Sequence, residues 1–141
     1  MAFIKVHTFA VIFLLMLLVS CDKENEHPVP YVRVEFHTNV LHHNLSNPGM
    51  SAQIAGHGYR GLFIYRLSMT EVRAFDRACP DDPHTCTLNI SEDAAELVES
   101  SCYPSIYILT DGSPVDGPAG YPLREYRTHF DPESGRLSVR N

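Results

Sequence analysis

Ala74-Phe75-Asp76-Arg77-Ala78-Cys79-Pro80 opens the stretch whose reading decides the fold, and Cys86, Cys102, Ser105-Ile106-Tyr107 and Gly117-Pro118-Ala119 continue it. Two cysteine-bearing loops lie here, each framed by strand-like sequence, and a Gly/Pro loop follows them. The order predicts a cap of two loops closed over by a third.

Working outward, Leu62 to Tyr65 and Val72 to Arg77 read as strands joined by a turn at Ser68 to Glu71. Gly56, Gly58 and Gly61 punctuate the short apolar pieces before them. Tyr31 to Phe36 alternates with period two, the mark of a strand with one buried face, and residues 37–50 lose that period and read as a loop. On the other side, Cys86 to Ile90 alternates, Ser91 to Leu97 reads as a turn with a strand beginning at Glu96, and Ser105 to Thr110 is a strand that ends at the hairpin signal Asp111-Gly112. Tyr121 to Arg127 and Arg136 to Arg140 close the chain as strands joined through Asp131 to Gly135. Many short strands without an amphipathic helix predict an all-β domain. His37, His42 and His43 predict no metal site: the adjacent pair points different ways in an extended chain, and no carboxylate or cysteine stands at a ligand spacing nearby.

The N-terminus reads as a targeting segment. Lys5 and His7 precede an apolar run from Phe9 to Val19, which is shorter than the roughly 20 residues that a spanning helix needs. Leu18-Val19-Ser20-Cys21 resembles a bacterial lipobox, which implies cleavage before Cys21 and lipidation of its sulfur; an ordinary signal peptide abutting a cysteine is the alternative. The expected organisation is a signal peptide at 1–20, a tether at 21–30 that has nothing to bury, and one domain at 31–141. The expected location is the bacterial cell envelope, at the periplasmic face or the outer-membrane surface. The mature chain carries 10 basic against 17 acidic residues, and its nine arginines are scattered along the sequence, so nucleic acid is excluded as a partner. Export to an oxidising compartment predicts one disulfide and one odd thiol among Cys79, Cys86 and Cys102.

The order of these signatures, with Pro122-Leu123, Tyr126 and Gly135-Arg136-Leu137-Ser138-Val139 following Gly117-Pro118-Ala119, resembles the Rieske-type [2Fe-2S] ferredoxin domain over residues 31–141. The resemblance implies an antiparallel β fold of stacked sheets, a β-sandwich, with a two-loop cap. A Rieske cluster takes two thiolates and two imidazoles, supplied as Cys-x-His and Cys-x-x-His. Cys79 matches the first thiolate, but Asp81 stands at the first histidine; aligned without gaps on Ser105-x-Tyr107, Ser100 stands at the second cysteine and Tyr103 at the second histidine. A second register makes Cys102 the ligand and Ser105 the replaced histidine, at the expense of a two-residue deletion. The cluster positions are degenerate in both, and His84 lies too far along the loop to substitute. On this resemblance no cofactor is expected, a [2Fe-2S] group being the alternative. A Cys86–Cys102 disulfide would replace the lost cross-link and contribute about 3 kcal/mol for a loop of about 15 residues; Cys79–Cys102 is the other pairing. Ser105 and Tyr107 would bond to loop backbone.

The function this implies is a membrane-anchored, non-catalytic structural or binding module, held by the lipid on Cys21 and meeting an unidentified protein or small molecule. The alternative is an electron-transfer protein with an atypical site drawn from Cys79, Asp81, His84, Cys86 and Cys102. Enzyme chemistry is not expected: no Ser-His-Asp arrangement with a nucleophile elbow occurs, and Cys79 near His84 is a weak nucleophile–base pair.

Overall fold

A computed structural model of the chain describes residues 27–141. The signal segment, Cys21 and the first part of the tether lie outside the described residues. Ten strands follow in order: β1 Glu35–Asn39, β2 Ser51–Ile54, β3 Leu62–Arg66, β4 Val72–Asp76, β5 Leu88–Ile90, β6 Leu97–Ser100, β7 Ile106–Ile108, β8 Pro114–Asp116, β9 Glu125–Asp131 and β10 Arg136–Arg140. A single 3₁₀ turn, Val40–His43, follows β1. The strands form a six-stranded sheet in the order β1-β10-β9-β4-β3-β2 and a four-stranded sheet in the order β5-β6-β7-β8. Every pairing is antiparallel. The fold is the all-β arrangement of antiparallel sheets that the sequence predicts.

Strand β3 explains why there are two layers. All five of its residues are buried, and successive side chains of a strand point to opposite faces. Leu62 and Ile64 join Val72, Ala74, Tyr126, Leu137 and Val139 in one core, inside the curl of the large sheet. Phe63 and Tyr65 face the other way and, with Phe75, pack against Leu88, Val98, Tyr107, Leu109 and Leu123 of the small-sheet side. A strand with apolar residues on both faces can be satisfied only by cover on both sides. The small sheet is that second cover.

The carboxylate of Asp76, fully buried at the end of β4, joins this wall to its surroundings. It accepts hydrogen bonds from the backbone amides of Tyr59, Arg60 and Ala78 and from Tyr126 Oη at 2.7 Å. A buried carboxylate is tolerable only when such donors surround it. The loop before β3 must therefore come close, and Gly58 permits it: its φ is +71°, and a Cβ there would lie 2.6 Å from Asp76 Oδ2.

Several boundaries differ from the sequence expectation. The ladder of β1 starts at Glu35 because Asn141 occupies the backbone before it: its Oδ1 accepts from the Val34 amide and its Nδ2 donates to Val32 O. The strand then continues to Asn39, into residues read as loop. Strand β2 begins at Ser51, directly after that stretch, and β9 begins at Glu125 because the Leu123 amide is held by Gly112 O at 2.8 Å. Pro28-Val29-Pro30 is corrected from tether to part of the domain: Val29 is fully buried, and Arg124 Nε donates to Val29 O at 2.9 Å. His27 locks this segment, accepting from the Val29 amide on Nδ1 while Nε2 donates to Pro122 O.

Two outcomes test this arrangement. Asp76→Ala strands four donors and should lower stability to urea unfolding by about 3 kcal/mol or more; a change below about 1 kcal/mol would show that the carboxylate does not hold the wall. Burial, and then the hydrogen bond to Asp76, hold the Tyr126 phenol far above its ordinary value of 10.0. The folded chain thus keeps a proton that the unfolded chain loses, so stability is full below pH 10 and declines as pH rises beyond it. Tyr126→Phe should flatten part of that alkaline decline, and an unchanged slope would contradict the assignment.

Candidate functional site

Strand β4 delivers the first cysteine loop to the tip, where Ala78 bridges Thr87 and the Cys79 amide donates to Cys86 O at 3.2 Å. The chain turns on the buried prolines Pro80 and Pro83, with the Cys86 amide returning to Asp82 O at 3.0 Å. Arg60 Nε donates to Pro83 O, and Tyr59 Oη shares a 2.8 Å hydrogen bond with His84 Nδ1. This loop therefore rests on the same loop that Asp76 holds.

The second loop runs from the end of β6 to the start of β7, and Ser100 shapes it. Its Oγ accepts from the amides of Cys102 and Tyr103 at 3.2 and 3.1 Å. Both lone-pair roles being taken, its proton is free to point to Cys86 Sγ 3.1 Å away, a disulfide sulfur with no proton of its own to give. Cys86 is bonded to Cys102, with Cα atoms 6.0 Å apart, which ties the two loops together; Cys79 is a free, buried thiol.

Asp81 organises the other half of the tip. One oxygen, Oδ2, accepts from Ser105 Oγ at 2.8 Å and Tyr107 Oη at 3.3 Å, with Cys79 Sγ at 3.8 Å. Ser105 and Tyr107 thus bond to a side chain rather than to loop backbone. The sequence reading missed this because it assigned Asp81 only by what it replaced; a carboxylate two residues after Cys79, with the hydroxyls of Ser105 just before β7 and Tyr107 within it, was the available signal. Burial foremost, followed by the charges of Cys79 and Asp81, pushes the Tyr107 phenol far above its ordinary value, so it remains a neutral donor. The structure brings Cys79 and Asp81 together, and Ser100 with Cys86 and Cys102. Tyr103 contributes its amide and is 37% exposed.

The third loop closes over the second by direct backbone contact. Gly117 has φ +84°, and a Cβ there would fall 1.9 Å from Pro104 O. Only glycine allows Pro118 to cross at that distance. The edge strand β8 leading into it is short, proline-containing and exposed throughout, a form that discourages pairing with another sheet.

No family model and no curated protein matches this chain. Solved structures do. The ferredoxin of carbazole 1,9a-dioxygenase from Nocardioides aromaticivorans matches with a TM-score of 0.51 at 16% identity, over 77% of this chain and 95% of its own. The complex of reduced oxygenase and oxidized ferredoxin in carbazole 1,9a-dioxygenase gives 0.48 at 19% identity, over 66% of this chain and 90% of the matched chain. A small subunit assigned to an NADH-dependent nitrite reductase from Mycobacterium tuberculosis gives 0.47 at 21%, over 79% of this chain and 97% of its own. The first of these fixes the fold.

That likeness corrects the expectation of a chain with no cofactor. The fold is one that a ferredoxin uses, and ferredoxins carry iron–sulfur clusters, so replaced ligand positions do not establish a chain without such a group. The residues at the tip do not fit the four-ligand [2Fe-2S] set of a Rieske centre, however. Of the four matching positions only Cys79 is a thiol; Asp81 is engaged by two hydroxyls, Ser100 caps the second loop, and Tyr103 faces outward. Among the described residues no three of His, Cys, Asp and Glu are placed to hold a metal ion.

The disulfide and Ser100 should contribute separately. Cys102→Ser should lower stability by about 3 kcal/mol, and Ser100→Ala by about 1 kcal/mol through loss of its amide bonds. Urea titration of both variants checks this, and wild-type stability in Cys102→Ser would contradict it.

Proposed function

We propose that this chain is a lipid-anchored component of the bacterial cell envelope whose Rieske-like domain is a non-catalytic binding module, meeting a protein partner through its two-loop tip. The observation that carries this reading is the tip itself. It is cross-linked by Cys86–Cys102 and hydrogen-bonded internally, yet it leaves apolar groups in solvent: Tyr103 at 37% and Val115 at 51% exposure, with exposed Pro104 and Pro118 where the third loop crosses the second. Rigid aromatic and proline side chains on a preorganised loop bind with little ordering cost, which favours a protein surface as occupant. The related fold belongs to a ferredoxin that is one component of a dioxygenase, and a component works by contact with another protein.

The chemistry at the tip also favours binding over catalysis. Asp81 is taken up by the hydroxyls of Ser105 and Tyr107, and His84 by Tyr59. The one carboxylate oxygen that Cys79 Sγ faces, at 3.8 Å, already accepts from two hydroxyls, which lowers its strength as a base for the thiol. The lipobox at Leu18 to Cys21 supports the anchored location.

A photo-crosslinking residue at Tyr103 should yield a discrete protein adduct in intact envelopes, lost in the tip variant Gly117→Val. The same residue at Met69, 62% exposed in the β3–β4 turn at the other end of the sheet, should not yield it. Identical adducts from both positions, or none from Tyr103, would count against the tip. Cys21→Ala should release the chain from the membrane fraction, and retention would count against the anchor.

A further inference from the structure

Arginines that are scattered in sequence share one surface in the fold. The face of the large sheet that carries Phe63 and Phe75 is covered by the small sheet over β3 and β4, but over β9, β10 and β1 it is open. Register places Arg140 opposite both Glu35 and Arg127, Ser138 opposite both His37 and His129, and Arg136 opposite both Asn39 and Asp131. Arg127, His129, Arg136, Arg140 and His37 are exposed there. The three carboxylates of this face are already engaged, Glu125 with Arg73 at 2.8 Å. Glu35 lies 3.6 Å from Arg33 and 3.8 Å from His37. Asp131 accepts from the Glu133 amide and the Ser134 hydroxyl of the β9–β10 turn.

Arg127 and Arg140 are the telling pair. Like charges directly opposite on neighbouring strands oppose folding, and among the described residues neither arginine has an ion-pair partner. On a chain of net charge −6, exposed arginines without ion-pair partners gathered on one open sheet face point to something outside the fold. The path of the chain supplies the second observation. The backbone arrives beside this face: His27 is held at Pro122, just before β9, and Asn141, just after β10, holds Val32 and Val34. Tyr31, between these two attachments, is 68% exposed. His27 follows Cys21 by six residues, a span of at most about 20 Å.

We propose that the open face of β9, β10 and β1 lies against an anionic bilayer surface, Arg127 and Arg140 contacting lipid phosphates. This rests on the anchored reading above for its location, because an anchor on Cys21 would hold the domain within reach of the headgroups. The acidic remainder of the molecule is repelled by the same surface, which fixes orientation as well as attachment. Partners of the tip would then be met by a domain held in one attitude rather than tumbling on its anchor.

The test is flotation of the full lipidated chain with vesicles of phosphatidylcholine alone and of phosphatidylcholine mixed with phosphatidylglycerol. Partition to the anionic vesicles should exceed that to neutral ones by about tenfold at low salt and approach it at high salt. The double variant Arg127→Gln/Arg140→Gln should lose that preference while binding neutral vesicles as before and unfolding at no lower urea concentration, since a repulsion has been removed. Equal partition of the wild type to both vesicles, or a preference that survives the double variant, would overturn the proposal, as would arginine-dependent binding to a DNA duplex with none to anionic vesicles. Absence of binding to neutral vesicles with retained, arginine-dependent binding to anionic ones would sink the anchor and uphold the face.

Discussion

The carboxylate of Asp76 is the constraint on which the rest of the structure depends. Four donors from three separate segments converge on it: the loop before β3, the start of the first cysteine loop, and β9. Burying a charge is tolerable only when the fold supplies that many partners. Each partner in turn fixes something else. Tyr59 and Arg60, brought in by their amides, brace the first loop through His84 and Pro83, while Ala78 is the last residue before Cys79. The position of the tip is thus set from beneath by a buried polar contact, and the disulfide ties together loops already brought into place.

The two faces of the large sheet carry the second consequence. One is curled around its own core; the other is divided, apolar and covered over β3 and β4, charged and open over β9, β10 and β1. Arg73 stands at the boundary, between Glu71 at 3.0 Å and Glu125 at 2.8 Å. A single sheet thereby carries the two-loop tip on its covered half and exposed arginines on its open half, with the N-terminal segment attached beside the latter.

Much of the fold was legible because β3 and β4 are dense in apolar residues and bounded by turn signals. Strand β8 was not, since Pro114, Val115 and Asp116 are all exposed and leave no apolar period to read. Val29 was missed for a related reason: one buried side chain between two prolines has no period at all. At the tip, residue replacement at family positions was readable, but what the replacements do was not. Asp81 as a shared acceptor depends on hydroxyls 24 and 26 residues away, and Ser100, read only as a replaced ligand, caps the amides two and three residues after it. The arginines show the same limit from another side. Their scatter in sequence pointed to no cluster, and only the register of β9 against β10 places Arg127 opposite Arg140.

If Asp76 sets the tip from beneath, the tip cannot open without the wall. Native-state hydrogen exchange measures this at the three amides that its carboxylate accepts. The account predicts that Tyr59, Arg60 and Ala78 exchange with the same free energy as the β3 ladder, through global unfolding alone. Exchange of these three amides by a local opening, at a free energy well below that of β3, would contradict it.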